Sequence, residues 1–347
     1  MQMDALPIGA HHDLQVAPAP GRRRLASFPA MKDPERLDLT DNRYCVLLVV
    51  CDGLLLFRLD VGHYVVCNPT TRRWADLPRL PGGSLYVIEH DHREAGFYFH
   101  PPSGEYRLLC HCNPRSTMAV PAHYAVLSVG AVEPRRLEDV QATPIPNPAI
   151  PQGHPNYKTK YDNLIAPAAL HGRLHWLEHP EAGLTDQMVV FDTVAETFSR
   201  MTPPPVTSGS DSLVNLLSTD GSLMASRITA GLSVDLWVLE GYGAAAMDVV
   251  GRWELRHRVD LPYHPLACIL PNAVAGGDDG DVILGTPRAM RVYNVRTKTV
   301  RIVDDEPIDR LRFPEFPVGL LRENMVPHAF FHDRGHPSCL PLFHFLP

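Results

Sequence analysis

Asp52 to Pro81 reads DGLLLFRLDVGHYVVCNPTTRRWADLPRLP, and the order of features within it decides the fold. An apolar run, Leu54 to Phe57, is followed by a polar turn and a second apolar run, Tyr64 to Cys67. The second run ends in Asn68-Pro69-Thr70-Thr71. Here proline presets φ at the second turn position, and asparagine hydrogen-bonds its own backbone. Trp74 then opens an outer strand that Leu77-Pro78 closes. The stretch predicts a small antiparallel meander, with Leu54, Leu56, Tyr64 and Val66 on one face of the sheet.

The same order recurs downstream. HGRLHWLEHPEAGLTDQMVVFDTVAETFSRMTPPP, His171 to Pro205, sets Asp192 where Asn68 stands and Phe198 where Trp74 stands. DGSLMASRITAGLSVDLWVLE, Asp220 to Glu240, has the two-strand core, then a longer connection to WELRHRVDLP, Trp253 to Pro262. GDVILGTPRAMRVYNVRTKTVRIV, Gly280 to Val303, puts Asn294 in the place of Asp192. AGFYFHPPSGEYRLLC (Ala95 to Cys110) and AHYAVLSVGAVEPRRLEDV (Ala122 to Val140) supply four further strands. The positions that define the repeat are Gly53, Asn68, Trp74, Gly172, Trp176, Asp192, Phe198, Gly221, Trp237 and Asn294.

One such meander cannot bury both of its faces, so the copies must stack on one another. A repeat of roughly 40–50 residues is the spacing of propeller blades. The predicted fold is all-β: a β-propeller over residues 41–347 with five to seven blades, six being the favoured count. A β-sandwich would explain the strands but not the recurring Asn/Asp-to-aromatic element. Matching aromatics in successive copies (Trp74, Trp176, Trp237) are expected to pack between blades and not to bind ligand. Residues 1–40 mix proline, arginine and histidine without periodicity and read as a flexible arm. The Pro-rich stretch Gln141 to Lys160 reads as an inter-blade loop and a place for binding.

The totals restrict function. Across 347 residues the formal net charge is -7, with 34 prolines and 24 glycines. A negative chain has no basic field for phosphates, so nucleic acid is not an expected partner. The Arg22 to Arg24 cluster reads as part of a solvated tail. Dense proline disfavours long helices. No apolar run is long enough for a membrane span, and the N-terminus has no secretory pattern. Seven scattered cysteines (Cys45, Cys51, Cys67, Cys110, Cys112, Cys268, Cys339) suit a reducing compartment, cytoplasmic or nuclear.

A few clusters of chemistry-bearing residues stand out in the sequence. Cys110-His111-Cys112 with His123 offers soft ligands but lacks the two-residue turn of zinc knuckles. His90-Asp91-His92 reads as a polar turn. Asp278, Asp279 and Asp281 sit in GGDDGD, which reads as a hairpin turn, since the ligands of a calcium loop do not follow. Glu178 with Glu181, or Asp304-Asp305-Glu306, lack the split environments that carboxylate pairs in glycoside cleavage need. No nucleophile elbow, phosphate loop, dinucleotide fingerprint or HExxH motif is present. No catalytic, cofactor-binding or metal-ligating residue is therefore expected, and the chain is not expected to be an enzyme.

CDGLLLF with YVVCNPTTRRWADLP is similar to the opening of the F-box-associated domains of plant F-box proteins. LHGRLHWL with VVFDTVAETFSRMTPP, and DGSLMAS with VDLWVLEGY, resemble later blocks of the family, particularly its grass-type branch. The blocks run in order from about Tyr44 to Phe331. The resemblance implies a kelch-like propeller that receives a target protein, joined in the family to a cullin-based ubiquitin ligase by an F-box and a Skp-type adaptor. The segment ALPIGAHHDLQVAPAPGRRRLASFPAMKDPERLDL, Ala5 to Leu39, departs from an F-box: prolines 18, 20, 29 and 34 would break its helices. Recruitment through a Skp-type adaptor is therefore not expected. The alternatives to a protein receptor are a glycan-binding or hydrolytic propeller and a decayed family copy.

Overall fold

The structure is a computed structural model. It describes residues 4–5, 13–17, 23–27, 46–60, 62–71, 73–80, 83–84, 87–88, 90–114, 123–137, 167–177, 187–205, 214–229, 233–243, 251–260, 273–275, 279–286, 289–304, 328–331 and 344–345. The loop Gln141 to Lys160, together with Glu178, Glu181, Asp278, Asp305 and Glu306, lies outside them.

The chain divides into two units, residues 1–144 with 312–347 and residues 145–311. The first unit opens with β1 (Asp4–Ala5), β2 (Asp13–Ala17) and β3 (Arg23–Ser27). Blade 1 follows as β4 (Val46–Cys51), β5 (Leu54–Asp60), β6 (His63–Asn68) and β7 (Arg73–Asp76). A short pair, β8 (Gly83–Ser84) and β9 (Val87–Ile88), precedes blade 2. Blade 2 comprises β10 (His90–His100), β11 (Glu105–Pro114), β12 (His123–Ser128) and β13 (Arg135–Arg136). In the second unit, blade 3 is β14 (Ala168–Leu170), β15 (Arg173–Leu177), β16 (Met188–Asp192) and β17 (Thr197–Met201). Blade 4 is β18 (Val214–Thr219), β19 (Ser222–Ile228), β20 (Ser233–Glu240) and β21 (Arg252–Asp260). Blade 5 is β22 (Ala273–Ala275), β23 (Asp281–Thr286), β24 (Ala289–Asn294) and β25 (Thr299–Asp304).

Every blade is a four-stranded antiparallel meander in chain order. The fold is thus an all-β propeller of five blades, within the expected range and one fewer than the favoured six. The remaining four-stranded sheet is no consecutive meander. It joins β1, β2 and β3 to the late strand β26 (His344–Phe345), with Ser27 opposite His344. Three strands thus lie within residues 1–40, where the sequence predicts an arm without periodicity. A 3-10 turn, Ala329–Phe331, is the one helical element among the described residues.

The repeat positions take equivalent places in their sheets. Asn68 stands opposite Arg73, Asp192 opposite Thr197 and Asn294 opposite Thr299. In all three turns one side-chain oxygen accepts two backbone N–H groups. Asn68 Oδ1 takes those of Thr70 and Thr71 at 3.0 and 3.1 Å. Asp192 Oδ1 takes those of Val194 and Ala195 at 2.9 and 2.8 Å, and Asn294 Oδ1 those of Arg296 and Thr297 at 3.1 and 2.9 Å. At the first hairpin of blades 1, 3 and 4, Asp52-Gly53, His171-Gly172 and Asp220-Gly221 all carry positive φ. That is the two-residue type I′ requirement, which glycine meets at the second position without strain.

Burial follows from stacking. Leu54 to Phe57 and Tyr64 to Cys67 are all buried, so blade 1 is covered on both faces and not only on the alternating one. In the second unit, Ala168 and Met188 of blade 3 pack with Leu223, Ala225, Leu239 and Trp253 of blade 4, with Trp237 against them. Leu217, Leu236 and Val259 of blade 4 pack with Val282, Leu284 and Tyr293 of blade 5. Trp74 and Trp176 are buried, as expected of packing aromatics. Phe198 is only partly buried, on the outer strand β17 of its blade, with its ring 4.9 Å from that of Phe191.

Candidate functional site

Polar latches join successive blades within each unit. In the first, Arg58 Nη1 donates to Glu94 Oε1 and Oε2 at 3.0 and 3.3 Å, and Tyr64 Oη donates to Glu94 Oε1 at 2.8 Å. The Glu94 side chain is 6% exposed, so the carboxylate needs those donors. Burial first, then the Glu94 charge, pushes the Tyr64 hydroxyl well above its ordinary value, leaving it a neutral donor. Tyr106 Oη donates to Asp52 Oδ2 at 3.2 Å. In the second unit Arg296 of blade 5 pairs with Asp220 of blade 4, while within blade 4 Arg258 donates to the facing Asp235 through two N–H groups at 2.6 and 2.8 Å. The Glu94 carboxylate is shielded from solvent, whereas the Arg258 and Arg296 guanidinium groups stand exposed at the surface.

His175 belongs to the same class. It has no exposed surface. Its Nδ1 lies 2.8 Å from the Ala168 carbonyl oxygen, and its Nε2 lies 2.8 Å from Tyr242 Oη. Because a carbonyl only accepts, Nδ1 carries the proton and Nε2 accepts from the tyrosine hydroxyl. Arg173 Nη1 donates to the same hydroxyl at 3.3 Å. Burial lowers the imidazole pKa to about 4 against the Ala168 hydrogen bond that raises it, and Arg173 and His171 lower it further.

One solvent-facing concavity in the first unit combines charge with apolar surface. It is a cleft of about 350 Å3 lined by His63, Asp76, Leu77, Pro78, Arg79, Ala131 and Val132. Its walls are pinned by backbone. Leu77 N–H donates to the Tyr64 carbonyl at 3.0 Å and Leu80 N–H to that of Gly62 at 3.1 Å, so the stretch after β7 runs on beside β6. Gly62 has φ +72, and a Cβ there would stand 3.2 Å from Leu80 Cβ, so this approach requires glycine. The other wall is the turn between β12 and β13, where Ala131 N–H donates to the Ser128 carbonyl at 3.1 Å.

Within the cleft, Arg79 Nη2 lies 3.3 Å from His63 Nδ1, and His63 Nε2 lies 3.3 Å from Asp76 Oδ1. A guanidinium can only donate, so Nδ1 accepts and Nε2–H points to Asp76. Asp76 thereby fixes the imidazole, and the imidazole fixes the guanidinium. Val132, at the lip, is 84% exposed.

A sequence profile of the F-box associated beta propeller domain matches residues 26–246. The chain belongs to that family. No curated protein matches it. Among solved structures it is similar to the Dos1 propeller, at 11% identity and a TM-score of 0.38, over 84% of this chain and 64% of that one. It is also similar to the Cps50 (Swd1) propeller domain of Myceliophteria thermophila, at 9% and 0.38, over 76% and 73%. A third is the computationally designed Ika8 protein, at 11% and 0.33, over 87% and 86%. The chain thus spans less than two thirds of the Dos1 propeller. TM-scores this low tie no function to these likenesses.

For a member of the F-box associated propeller family, the repeat positions picked out in the sequence are scaffold. Gly53, Gly172 and Gly221 sit in hairpins, Asn68, Asp192 and Asn294 hold turns, and Trp74, Trp176, Phe198 and Trp237 pack. His90-Asp91-His92 is not a turn but the start of β10, paired with Pro114, Asn113 and Cys112, because the long partner strand β11 extends the ladder past the apolar run. Cys110 and Cys112 are buried on β11, and burial pushes both thiols up, Cys112 to about 12. Among the described residues no group of three or more His, Cys, Asp or Glu is arranged for a metal ion. Asp281 stands on β23, where it accepts from Asn294 Nδ2 at 2.7 Å and Arg301 at 2.9 Å.

The cleft residues form no sequence motif. His63 and Arg79 are 16 positions apart, and Val132 comes from another blade. The only local signal is Arg79 itself, a cation set between prolines in LPRLP.

Proposed function

We propose that this propeller is a protein receptor, equivalent to the substrate-receptor part of F-box proteins, and that residues 1–40 do not themselves recruit a ligase. The observation that carries the reading is the family match over residues 26–246. Supporting it is a scaffold whose polar groups are spent on holding blades together, while an open cleft presents an arginine and an exposed valine. The prolines at 18, 20, 29 and 34 oppose the helices an F-box needs, and β2 and β3 occupy part of that stretch. Affinity capture from native tissue, with and without added Skp-type adaptor, tests the receptor half; a partner retained without adaptor is the expected result. Titration calorimetry of residues 1–347 against the adaptor tests the other half. No heat of binding is expected at adaptor concentrations in the micromolar range, and tight binding would overturn it.

A further inference from the structure

We infer that the His63–Asp76–Arg79 cleft receives an acidic side chain followed directly by an aliphatic one, in an extended segment of the partner protein. The inference rests on the receptor reading above and names the chemistry of its site. Among the described residues the guanidinium groups of Arg58, Arg107, Arg173, Arg256, Arg258, Arg296 and Arg301 each meet a carboxylate. Arg79 does not: among the described residues its one polar partner is the imidazole of His63. A guanidinium has five N–H donors, and His63 uses one of them. Among the described residues that line the cleft the one carboxylate, Asp76, is turned to the far side of that imidazole. The site therefore holds an oriented, solvent-facing cation and keeps its own anion occupied elsewhere.

The apolar part selects among anions. Val132 keeps 84% of its surface exposed beside Ala131, with Leu77 and Pro78 on the opposite wall. A partner's aliphatic side chain would cover that surface, whereas a free phosphate or a nucleotide would leave it wet. A phosphate is best held by several cations or a backbone nest, and here a single guanidinium lines the cleft. The strand that follows Val132 adds Arg135 and Arg136, both exposed, against Glu133. A carboxylate on a peptide takes two parallel N–H bonds from Arg79 while its neighbour packs on Val132.

The test uses fluorescence anisotropy with residues 1–347 and a fluorescein-labelled, end-blocked peptide Gly-Ser-Glu-Leu-Gly-Ser, with Gln-Leu and Glu-Ser counterparts. The Glu-Leu peptide should saturate below about 1 mM, with the Gln-Leu peptide weaker by about tenfold or more. R79Q should weaken the Glu-Leu peptide to the same degree, R79K less, and V132S should remove the preference for Leu over Ser. Equal binding of the Glu and Gln peptides, R79Q at wild-type affinity, or no saturation would overturn the inference. Should R79Q lose its thermal transition, the three peptides on the wild-type protein and V132S decide alone. If the captured tissue partner binds R79Q as well as wild type, the cleft is refuted while the receptor reading stands. If the peptides behave as stated but no partner is captured, the reverse holds.

Discussion

Acidification should weaken this protein through His175. The folded imidazole is neutral, enclosed between the Ala168 carbonyl and the Tyr242 hydroxyl, and its pKa is lowered from 6.5 to about 4. Protonation would put a second N–H against a hydroxyl already receiving one from Arg173. The sign follows from proton counting. Between pH 4 and 6.5 the unfolded chain binds the proton and the folded one does not, so stability rises with pH across that window and is level above it. Full separation of the two pKa values corresponds to about 3 kcal/mol, and the drop from pH 7 to pH 4.5 to about 2 kcal/mol. Urea unfolding followed by tryptophan fluorescence at the two pH values measures the loss, and H175Q supplies the reference. The variant keeps a donor and an acceptor but cannot titrate. Its stability at pH 7 should fall below wild type, while its change between pH 7 and 4.5 should be smaller by about 2 kcal/mol. An imidazole resonance of His175 titrating near 6.5, or equal pH slopes for the two proteins, would refute the buried relay.

Two further substitutions separate the roles of matching repeat positions. Trp74→Ala should cost about 3–5 kcal/mol, because the ring is buried against Phe57. Phe198→Ala should cost less, about 1–2 kcal/mol, since that ring is only partly buried. Equal costs by chemical denaturation would show that the outer strands of blades 1 and 3 pack alike. Asp192→Ala should cost about 1–2 kcal/mol by orphaning the N–H groups of Val194 and Ala195. Asp192→Asn should stay within about 0.5 kcal/mol of wild type, because asparagine does the same work at 68 and 294. A large loss for the asparagine variant would mean that the ion pair of Asp192 with Arg173, 3.7 Å away, matters more than the turn.

What could be read in the sequence was what is settled locally. Asn68, Asp192 and Asn294 declare themselves because a turn is completed within four residues, by an oxygen and two N–H groups close along the chain. The same holds for Asp52-Gly53 and Asp220-Gly221, whose positive φ values need only the glycine beside them. Phe198 holds the place of Trp74 yet is less buried, because sequence order shows which strand a ring is on, whereas depth depends on what covers it. Likewise β10 runs through His90-Asp91-His92, three polar residues, because β11 offers it a ladder 10 residues long. Ladder hydrogen bonds do not read side chains, so polarity misled there.

The cleft was illegible for a related reason. Arg79 becomes a site only because Gly62, where a Cβ would crowd Leu80, lets the two segments run side by side and because Asp76 turns His63 toward it. None of these residues is unusual alone. Their arrangement depends on β7 continuing beside β6 past the end of the repeat, and that is the part of blade 1 that Asp192 and Asn294, with their copies of the turn, cannot foretell. A repeat fixes where side chains are interchangeable. It is therefore at the departures from it, here LPRLP against SRMTPPP in blade 3, that one blade can acquire a surface its neighbours lack.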